Sequence, residues 1–149
     1  MLTYDRFTII NSNLSLSSVC KNDNSGGRDI DKDTKKIFDY LNAKFKQLYT
    51  PSQALSIDEG MCKYQGRYSF KTYMPAKPIK VGMKFYIMAD SKTSFVTKIK
   101  LYTGKYSSIK ETVKDLIVDV KSFNHTLYMD NYYNSIALCE ELREDKIFC

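Results

Sequence analysis

The sequence of 149 residues is poor in the residue types that build several common sites. It has one histidine, and its four cysteines form no C-x-x-C pair, which argues against a zinc site built within this chain. It has no signal peptide and no long apolar run, so we expect no membrane association and reduced thiols in the cytosol or nucleus. Gly104-Lys105 resembles the end of a phosphate-binding loop, but the earlier glycine and the following Ser or Thr are missing.

Acidic residues are scarce in the middle of the chain. Between Lys63 and Lys110 there are eleven Lys or Arg residues and one acid, Asp90, although the formal charge of the whole chain is +6. A block this basic suggests a surface that faces a polyanion, and nucleic acid is the most common such partner. The alternative is a solvated sheet face that is rich in lysine.

Helical patterns occur in three regions before residue 124, in a chain whose hydrophobic fraction of 43% favours one folded domain. The stretch "YDRFTIINSNL" predicts an early helix, and "KNDNSGGRD" predicts a loop. A second helix is predicted from Asp33 to Pro51, and a third over 107–123, where Ser108 and Glu111 form a capping box. The apolar residues of these last two helices are predicted to lie in the core: Ile37, Tyr40, Leu41, Phe45, Leu48, Ile109, Val113, Leu116, Ile117, Val120 and Phe123.

Strand patterns begin at residue 54 and alternate with helices further along the chain. Residues 54–64 alternate apolar and polar side chains, and 81–89 and 95–103 form a predicted hairpin, preceded by the loop "FKTYMPAKPIK". A short strand at "LYM", a helix at "SIALCEELRED" and the start of a strand at "KIFC" follow. This order predicts a mixed α/β sheet covered by helices.

Two aspartates follow strand patterns that are far apart in the sequence. Asp130 ends the apolar strand "LYM", and Asp58 points away from the face formed by Leu55 and Ile57. A turn or a helix cap would account for Asp130 alone. If the strand before Asp130 pairs beside the first strand, however, the two carboxylates converge and require a shared cation or a retained proton. Magnesium prefers such oxygen ligands, and two such ions suit phosphodiester chemistry.

Two runs of sequence match a known signature. In the run from Leu55 to Lys105 and in "LYMDNYYNSIALCEEL", the chain resembles piggyBac-type transposases and the cellular proteins derived from them. Arg28-Asp29 and the helix after it also fit the family's pattern. The residues that carry the first match fall in order with the expected gaps: Asp58-Glu59, Gly66-Arg67, Tyr73, Pro75, Lys77-Pro78, Gly82 and Lys84.

The resemblance implies an RNase H-like fold, a mixed sheet flanked by helices, with three acids that bind two Mg²⁺ (or Mn²⁺) ions. Asp58 would be the first catalytic and metal-binding acid and Asp130 the second. The implied partner is double-stranded DNA at transposon ends, with TTAA-like targets, in the nucleus, and the full-length form would be a homodimer. The side chains expected along DNA phosphates are Lys63, Arg67, Lys71, Lys77, Lys80 and Lys84. For Arg67 and Lys77 a structural salt bridge is the alternative.

The chain also departs from the family pattern. The third acid and the cysteine-rich tail of the family lie beyond Cys149, and Ser94 stands where glycine is common. We therefore expect residues 1–53 to be a helical remnant of the N-terminal region. Residues 54–149 would be a partial catalytic domain, truncated before its C-terminal elements, with weak metal binding and little or no strand transfer. The alternatives are a domesticated DNA-binding or scaffolding protein, and an unrelated RNase H-like nuclease, which does not account for the pattern from Gly66 to Lys84.

Overall fold

The computed structural model describes residues 3–13, 30–64, 70–104 and 108–149. The chain divides into two compact units, residues 1–33 and 34–149. The first contains helix α1 (Tyr4–Asn13), which confirms the predicted early helix. The predicted loop "KNDNSGGRD" lies outside the described residues, and the predicted domain boundary after residue 53 stays a prediction.

Helix α2 (Ile30–Leu48) begins earlier than the predicted Asp33 and ends before Pro51. Within the second unit, the Asn42 side chain fixes the helix to the sheet. Its amide nitrogen donates to the Ile99 carbonyl and its amide oxygen accepts from the Ile99 N–H, each at 2.9 Å. The ring of Phe38 adds a contact with Phe85, with 5.3 Å between centroids.

Two apolar residues of α2 do not lie in the core. Tyr40 is 63% exposed and Leu48 is 75% exposed, so their predicted core positions are wrong. Spacing along a helix identifies an apolar stripe, but it does not show how much of that stripe the neighbouring sheet covers. Here the contacts of α2 with the hairpin over 81–101 are made by Phe38, Asn42 and Phe45, whereas Tyr40 and Leu48 are exposed to solvent.

The described residues form one mixed sheet of six strands in the order β2-β3-β1-β5-β6, with β4 also paired to β3. Strands β1 and β4 are antiparallel to β3, whereas β5 is parallel to β1 and β6 is parallel to β5. The strands are β1 (Ala54–Lys63), β2 (Thr72–Tyr73), β3 (Val81–Asp90), β4 (Val96–Leu101), β5 (His125–Met129) and β6 (Ile147–Phe148). Strand β2 falls within a stretch predicted to be entirely loop, and this two-residue strand is a correction to that prediction.

The β3–β4 hairpin is confirmed, and Ser94 in its connection has a φ of +60°. This left-handed backbone conformation favours glycine, because a Cβ atom is crowded there. The backbone thus gives a physical reason to expect glycine at the position that Ser94 occupies.

Asp90, the one acid of the basic block, is fully buried at the end of β3. Its Oδ2 accepts from the Ser52 N–H at 2.6 Å and from the Tyr49 hydroxyl at 3.0 Å. Its Oδ1 accepts from the N–H groups of Lys92 at 2.8 Å and Thr93 at 3.2 Å. Burial raises the pKa of Asp90, but these hydrogen bonds, with Ser52 first, outweigh it and hold the pKa well below its usual range. Asp90 therefore joins the hairpin to the segment after α2 as a buried, charged acceptor.

Helix α3 (Ile109–Ile117) starts at the predicted capping box. The Ser108 hydroxyl accepts from the Glu111 N–H at 3.1 Å, and the Glu111 carboxylate accepts from the Ser108 N–H at 3.0 Å. The helix ends before the predicted residue 123, and Phe123 is 71% exposed, so its predicted core position is wrong. The chain leaves the helix through turns in which Ser122 has a φ of +68°.

The core lies on one face of the sheet, under α3 and α4 (Ile136–Glu144). Alternation along β3 directs Tyr86 and Met88 to this face and Phe85 to the face that contacts α2, so helices flank both faces of the sheet. The buried core residues are Leu55, Ile57, Tyr86, Met88, Val113, Leu116, Ile117, Val120, Leu127, Tyr133, Leu138, Leu142 and Ile147.

Cys139 on α4 and Cys149 are paired as a disulfide, with 6.1 Å between their Cα atoms. The expectation of reduced thiols is therefore wrong for this pair, because their spacing in the sequence does not indicate that α4 and β6 bring them together. Within the described ranges, no helix has the length and apolarity that a membrane crossing requires.

Candidate functional site

The parallel pairing of β1 with β5 brings the two predicted acids to one edge of the sheet. The last registered pair is Ile57 with Met129, so Asp58 and Asp130 are the next residues on neighbouring strands. Adjacent strands lie about 4.8 Å apart. Strand β1 is flanked by β3 and β5, and β5 by β1 and β6, so the prediction of neighbouring central strands is confirmed.

Both carboxylates are held by local hydrogen bonds and remain open to solvent. The Asp58 side chain is 68% exposed, and its Oδ1 accepts from the Glu59 N–H at 2.7 Å. Asp130 is exposed as well, and its Oδ1 accepts from the Asn131 N–H at 2.5 Å. The Asp130 carbonyl also accepts from the Tyr133 N–H at 2.9 Å, which closes a turn. The turn interpretation of Asp130 is thus correct, and it is compatible with a site.

The donor chemistry of this edge fits a divalent cation. Two exposed carboxylates on adjacent strands offer the hard oxygen ligands that Mg²⁺ and Mn²⁺ prefer, and exposure leaves room for water or phosphate oxygens. In the part of the chain that the structure describes, no group of three or more His, Cys, Asp or Glu side chains is arranged to hold a metal. The arrangement therefore fits a site in which Asp58 and Asp130 are the two carboxylate ligands. The other ligands of the cation would not be carboxylates of the described residues.

Glu59 lies beside this edge but on the opposite face of β1, and sequence reasoning missed it. Its Oε2 accepts from the Tyr133 hydroxyl at 2.9 Å. The Lys77 Nζ lies 3.4 Å from Glu59 Oε1 and 3.8 Å from Asp58 Oδ1. The salt-bridge alternative for Lys77 is therefore realised in this structure. In the sequence, Glu59 stands out only as a second acid after Asp58. Its hydrogen-bond partner Tyr133 is 74 residues away, so the sequence does not indicate their contact.

Burial and charge act in opposite directions on Glu59. Burial raises the pKa of its carboxyl group. The Tyr133 hydrogen bond and the positive charge of Lys77 lower that pKa by a larger amount, so the pKa of Glu59 is lowered overall. Burial and the neighbouring Glu59 carboxylate both raise the pKa of Tyr133 far above its usual range. Tyr133 thus remains a hydroxyl donor and Glu59 a charged acceptor at neutral pH.

The predicted DNA-contacting residues have different environments. Lys63, Lys71 and Lys80 are exposed to solvent. Lys77 is half-buried against acids, and Arg67 lies outside the described residues. That these side chains contact DNA phosphates stays a prediction.

Among the predicted residues that the structure describes, Lys84 is the most enclosed, at 9% exposure. Its Nζ lies 5.0 Å from the ring centroid of Tyr86 and 5.4 Å from that of Tyr132. Aromatic faces stabilise an ammonium group at this range. In this structure the Lys84 ammonium group therefore packs against the rings of Tyr86 and Tyr132.

Comparison with known proteins identifies the group to which these features belong. All of residues 1–149 match the family model described as Transposase IS4. The human piggyBac transposable element-derived protein 3 is 26% identical over 151 residues, which cover 93% of this chain and 24% of that protein. The human chimeric ERCC6-PGBD3 protein is also 26% identical over 93% of this chain, which is 14% of its own length.

Among solved structures, the chain is similar to the cryo-EM structure of the piggyBac transposase synaptic complex with hairpin DNA. The TM-score is 0.73 and the identity 31%, over 80% of this chain and 27% of that one. The chain thus spans about a quarter, or less, of the proteins it matches. These findings confirm the resemblance to piggyBac-type transposases and, with the mixed sheet, the predicted fold class.

Proposed function

Because the chain belongs to the IS4-type transposase family, we propose that its second unit carries part of the DNA-cleaving site of a piggyBac-like transposase. The observation that carries this proposal is the parallel register of β1 and β5, which makes Asp58 and Asp130 neighbours at one sheet edge. The similar solved structure, a transposase complex with hairpin DNA, supports DNA as the partner.

In this proposal, Asp58 and Asp130 would hold Mg²⁺ or Mn²⁺ through their exposed oxygens. When bound, the metal would supply stabilisation of the charge that develops on the attacking and leaving oxygens of a phosphodiester. The hydrogen bonds from Glu59 N–H and Asn131 N–H orient the two carboxylates without covering them. Lys77 offsets part of their mutual repulsion while no cation is bound.

The exposed lysines of the basic block would bind the duplex. Lys63, Lys71 and Lys80 are free to approach phosphates, which positions DNA without reading its sequence. Binding should therefore weaken with salt, and each lost phosphate contact should lower the salt slope by about one. Transposon ends with TTAA-like targets, a homodimer in the full-length form and a nuclear location remain part of this proposal.

Metal binding by the purified chain tests the site directly. We expect Mn²⁺, followed by electron paramagnetic resonance, to bind weakly, and Asp58→Asn or Asp130→Asn to weaken that binding about tenfold or more. Asp39→Asn, an exposed aspartate on α2, is the matched control and should change nothing. Equal Mn²⁺ binding by all four proteins would overturn the proposed site.

DNA assays separate this proposal from a DNA-binding or scaffolding role. We expect duplex binding that Mn²⁺ strengthens in the parent protein but not in Asp58→Asn. Duplex binding that changes neither with Mn²⁺ nor with Asp58→Asn would favour the scaffolding alternative. Little or no strand transfer is expected with Mg²⁺, because the described residues add no third acid to the pair. Robust strand transfer by the purified chain would contradict that expectation.

A further inference from the structure

A single side-chain contact links the two segments that carry the candidate acids. Glu59 directly follows Asp58, and Tyr133 lies in the turn that Asp130 opens. The Tyr133 hydroxyl donates to Glu59 Oε2 at 2.9 Å across 74 residues of sequence. The contact therefore joins β1, one residue after Asp58, to the turn that follows β5.

The strand ladder does not itself fix Asp130. Registered pairing between β1 and β5 stops at Ile57 and Met129, one residue before each acid. Beyond that point the position of Asp130 depends on its turn, which is closed by the Tyr133 N–H. A restraint on Tyr133 is consequently a restraint on Asp130.

Tyr133 is well placed to act as a rigid restraint. It is 2% exposed, and its ring meets Tyr86 edge-on at 6.3 Å and Tyr132 edge-on at 5.2 Å. Its hydroxyl hydrogen bond is to a carboxylate, a stronger class of bond than one between neutral groups. The Lys77 Nζ, 3.4 Å from the other Glu59 oxygen, offsets the cost of enclosing that charge.

We propose that Glu59 and Tyr133 are positioning residues of the candidate metal site, which set the placement of the Asp130 turn relative to Asp58. This inference rests on the proposed function for its link to metal, although the restraint itself is a property of the folded chain. Neither residue is expected to touch the metal or DNA, because Glu59 faces the opposite side of β1 and Tyr133 is buried.

Removing the hydroxyl alone tests the inference. Tyr133→Phe keeps the ring packing, and we expect Mn²⁺ binding to weaken about three- to tenfold, the usual scale for losing one hydrogen bond. Glu59→Gln still offers an oxygen to the hydroxyl and should keep Mn²⁺ binding within about twofold of the parent. Tyr128→Phe removes an exposed hydroxyl on β5, 58% exposed as a residue, and is the control that should change nothing.

Amide hydrogen exchange measures how firmly the Asp130 turn is held when no metal is present. In Tyr133→Phe the amides of Asn131 and Tyr133 should exchange hydrogen about tenfold faster, since the turn then opens locally. Unchanged exchange at these amides would overturn the inference, whatever the metal result. A lower melting temperature with unchanged Mn²⁺ binding and exchange would mean a role in stability alone.

The two hypotheses fail in different ways. If the parent protein binds no Mn²⁺ through Asp58, the proposed function fails, while faster exchange in Tyr133→Phe would still support the positioning of the Asp130 turn. If Mn²⁺ binds and Asp58→Asn abolishes binding, but Tyr133→Phe matches the parent in both measurements, the positioning role alone is wrong. Should Tyr133→Phe fail to fold, Glu59→Ala, which keeps the Tyr133 ring but removes both the acceptor and the Lys77 partner, replaces it in both measurements with the same expected results.

Discussion

Replacing Asp90 with asparagine should destabilise the fold far more than the same change at Asp58. Each oxygen of Asp90 accepts two hydrogen bonds, from Ser52 and Tyr49 on one side and from Lys92 and Thr93 on the other. Whichever oxygen becomes an NH₂ group, two buried donors lose their acceptor. At about 1.5 to 3 kcal/mol for each hydrogen bond to a charged group, the loss of two is about 3 to 6 kcal/mol.

The stability that Asp90 contributes should also depend on pH. Its pKa is lowered in the folded state, so the contribution is fully present above the unfolded-state pKa of about 3.9 and is lost as the pH falls towards the folded-state pKa. The difference in the free energy of unfolding between the parent and Asp90→Asn should therefore shrink as the pH falls below about 4.

Urea denaturation followed by circular dichroism, at pH 7 and at pH 3, measures both effects. Asp58→Asn is the control, since the Asp58 side chain is 68% exposed and its replacement should cost less than about 0.5 kcal/mol. A loss below about 1 kcal/mol for Asp90→Asn at pH 7 would refute the assignment of Asp90 as a buried charged acceptor.

Three further changes test single features of the fold and site. Ser108→Ala should lower the free energy of unfolding by about 1 kcal/mol, because the α3 capping box is lost; a value near zero in urea denaturation would contradict this. Ser94→Gly should raise it by about 0.5 to 1 kcal/mol, because the φ of +60° is then unstrained; a lower melting temperature would show otherwise. Lys77→Met should tighten Mn²⁺ binding about two- to fivefold, because the removed ammonium, 3.8 Å from Asp58, competes with the metal; weaker binding would contradict this.

Local patterns in the sequence predicted the elements, and they allowed a pairing of β1 with β5 that the structure shows. The alternation turned Asp58 away from Leu55 and a short strand preceded Asp130, so the two acids would be neighbours if these strands paired, and the register shows that they do. The capping box at Ser108 gave the start of α3 because its two hydrogen bonds are local.

The features that the sequence did not predict depend on distance in space. Phe123 fits the helical stripe of α3, but the chain leaves the helix before it, through residues with positive φ. Predicting the Glu59–Tyr133 hydrogen bond would require the strand register and the conformation of the turn after β5. Nothing in the sequence around either residue indicates the other as its partner. The exposure of Tyr40 likewise depends on how far the sheet extends beneath α2.

The parallel pairing of Ala54 with Thr126 also bears on the order of events during synthesis. The β1–β3–β4 meander consists of neighbouring segments and can assemble while the ribosome is still translating, whereas β1 must wait for β5 before its second edge is filled. Asp58 therefore lacks Asp130 as its neighbour until α3 has emerged and β5 follows. A nascent chain would therefore lack the Asp58–Asp130 pair until residues 125–130 have been synthesised.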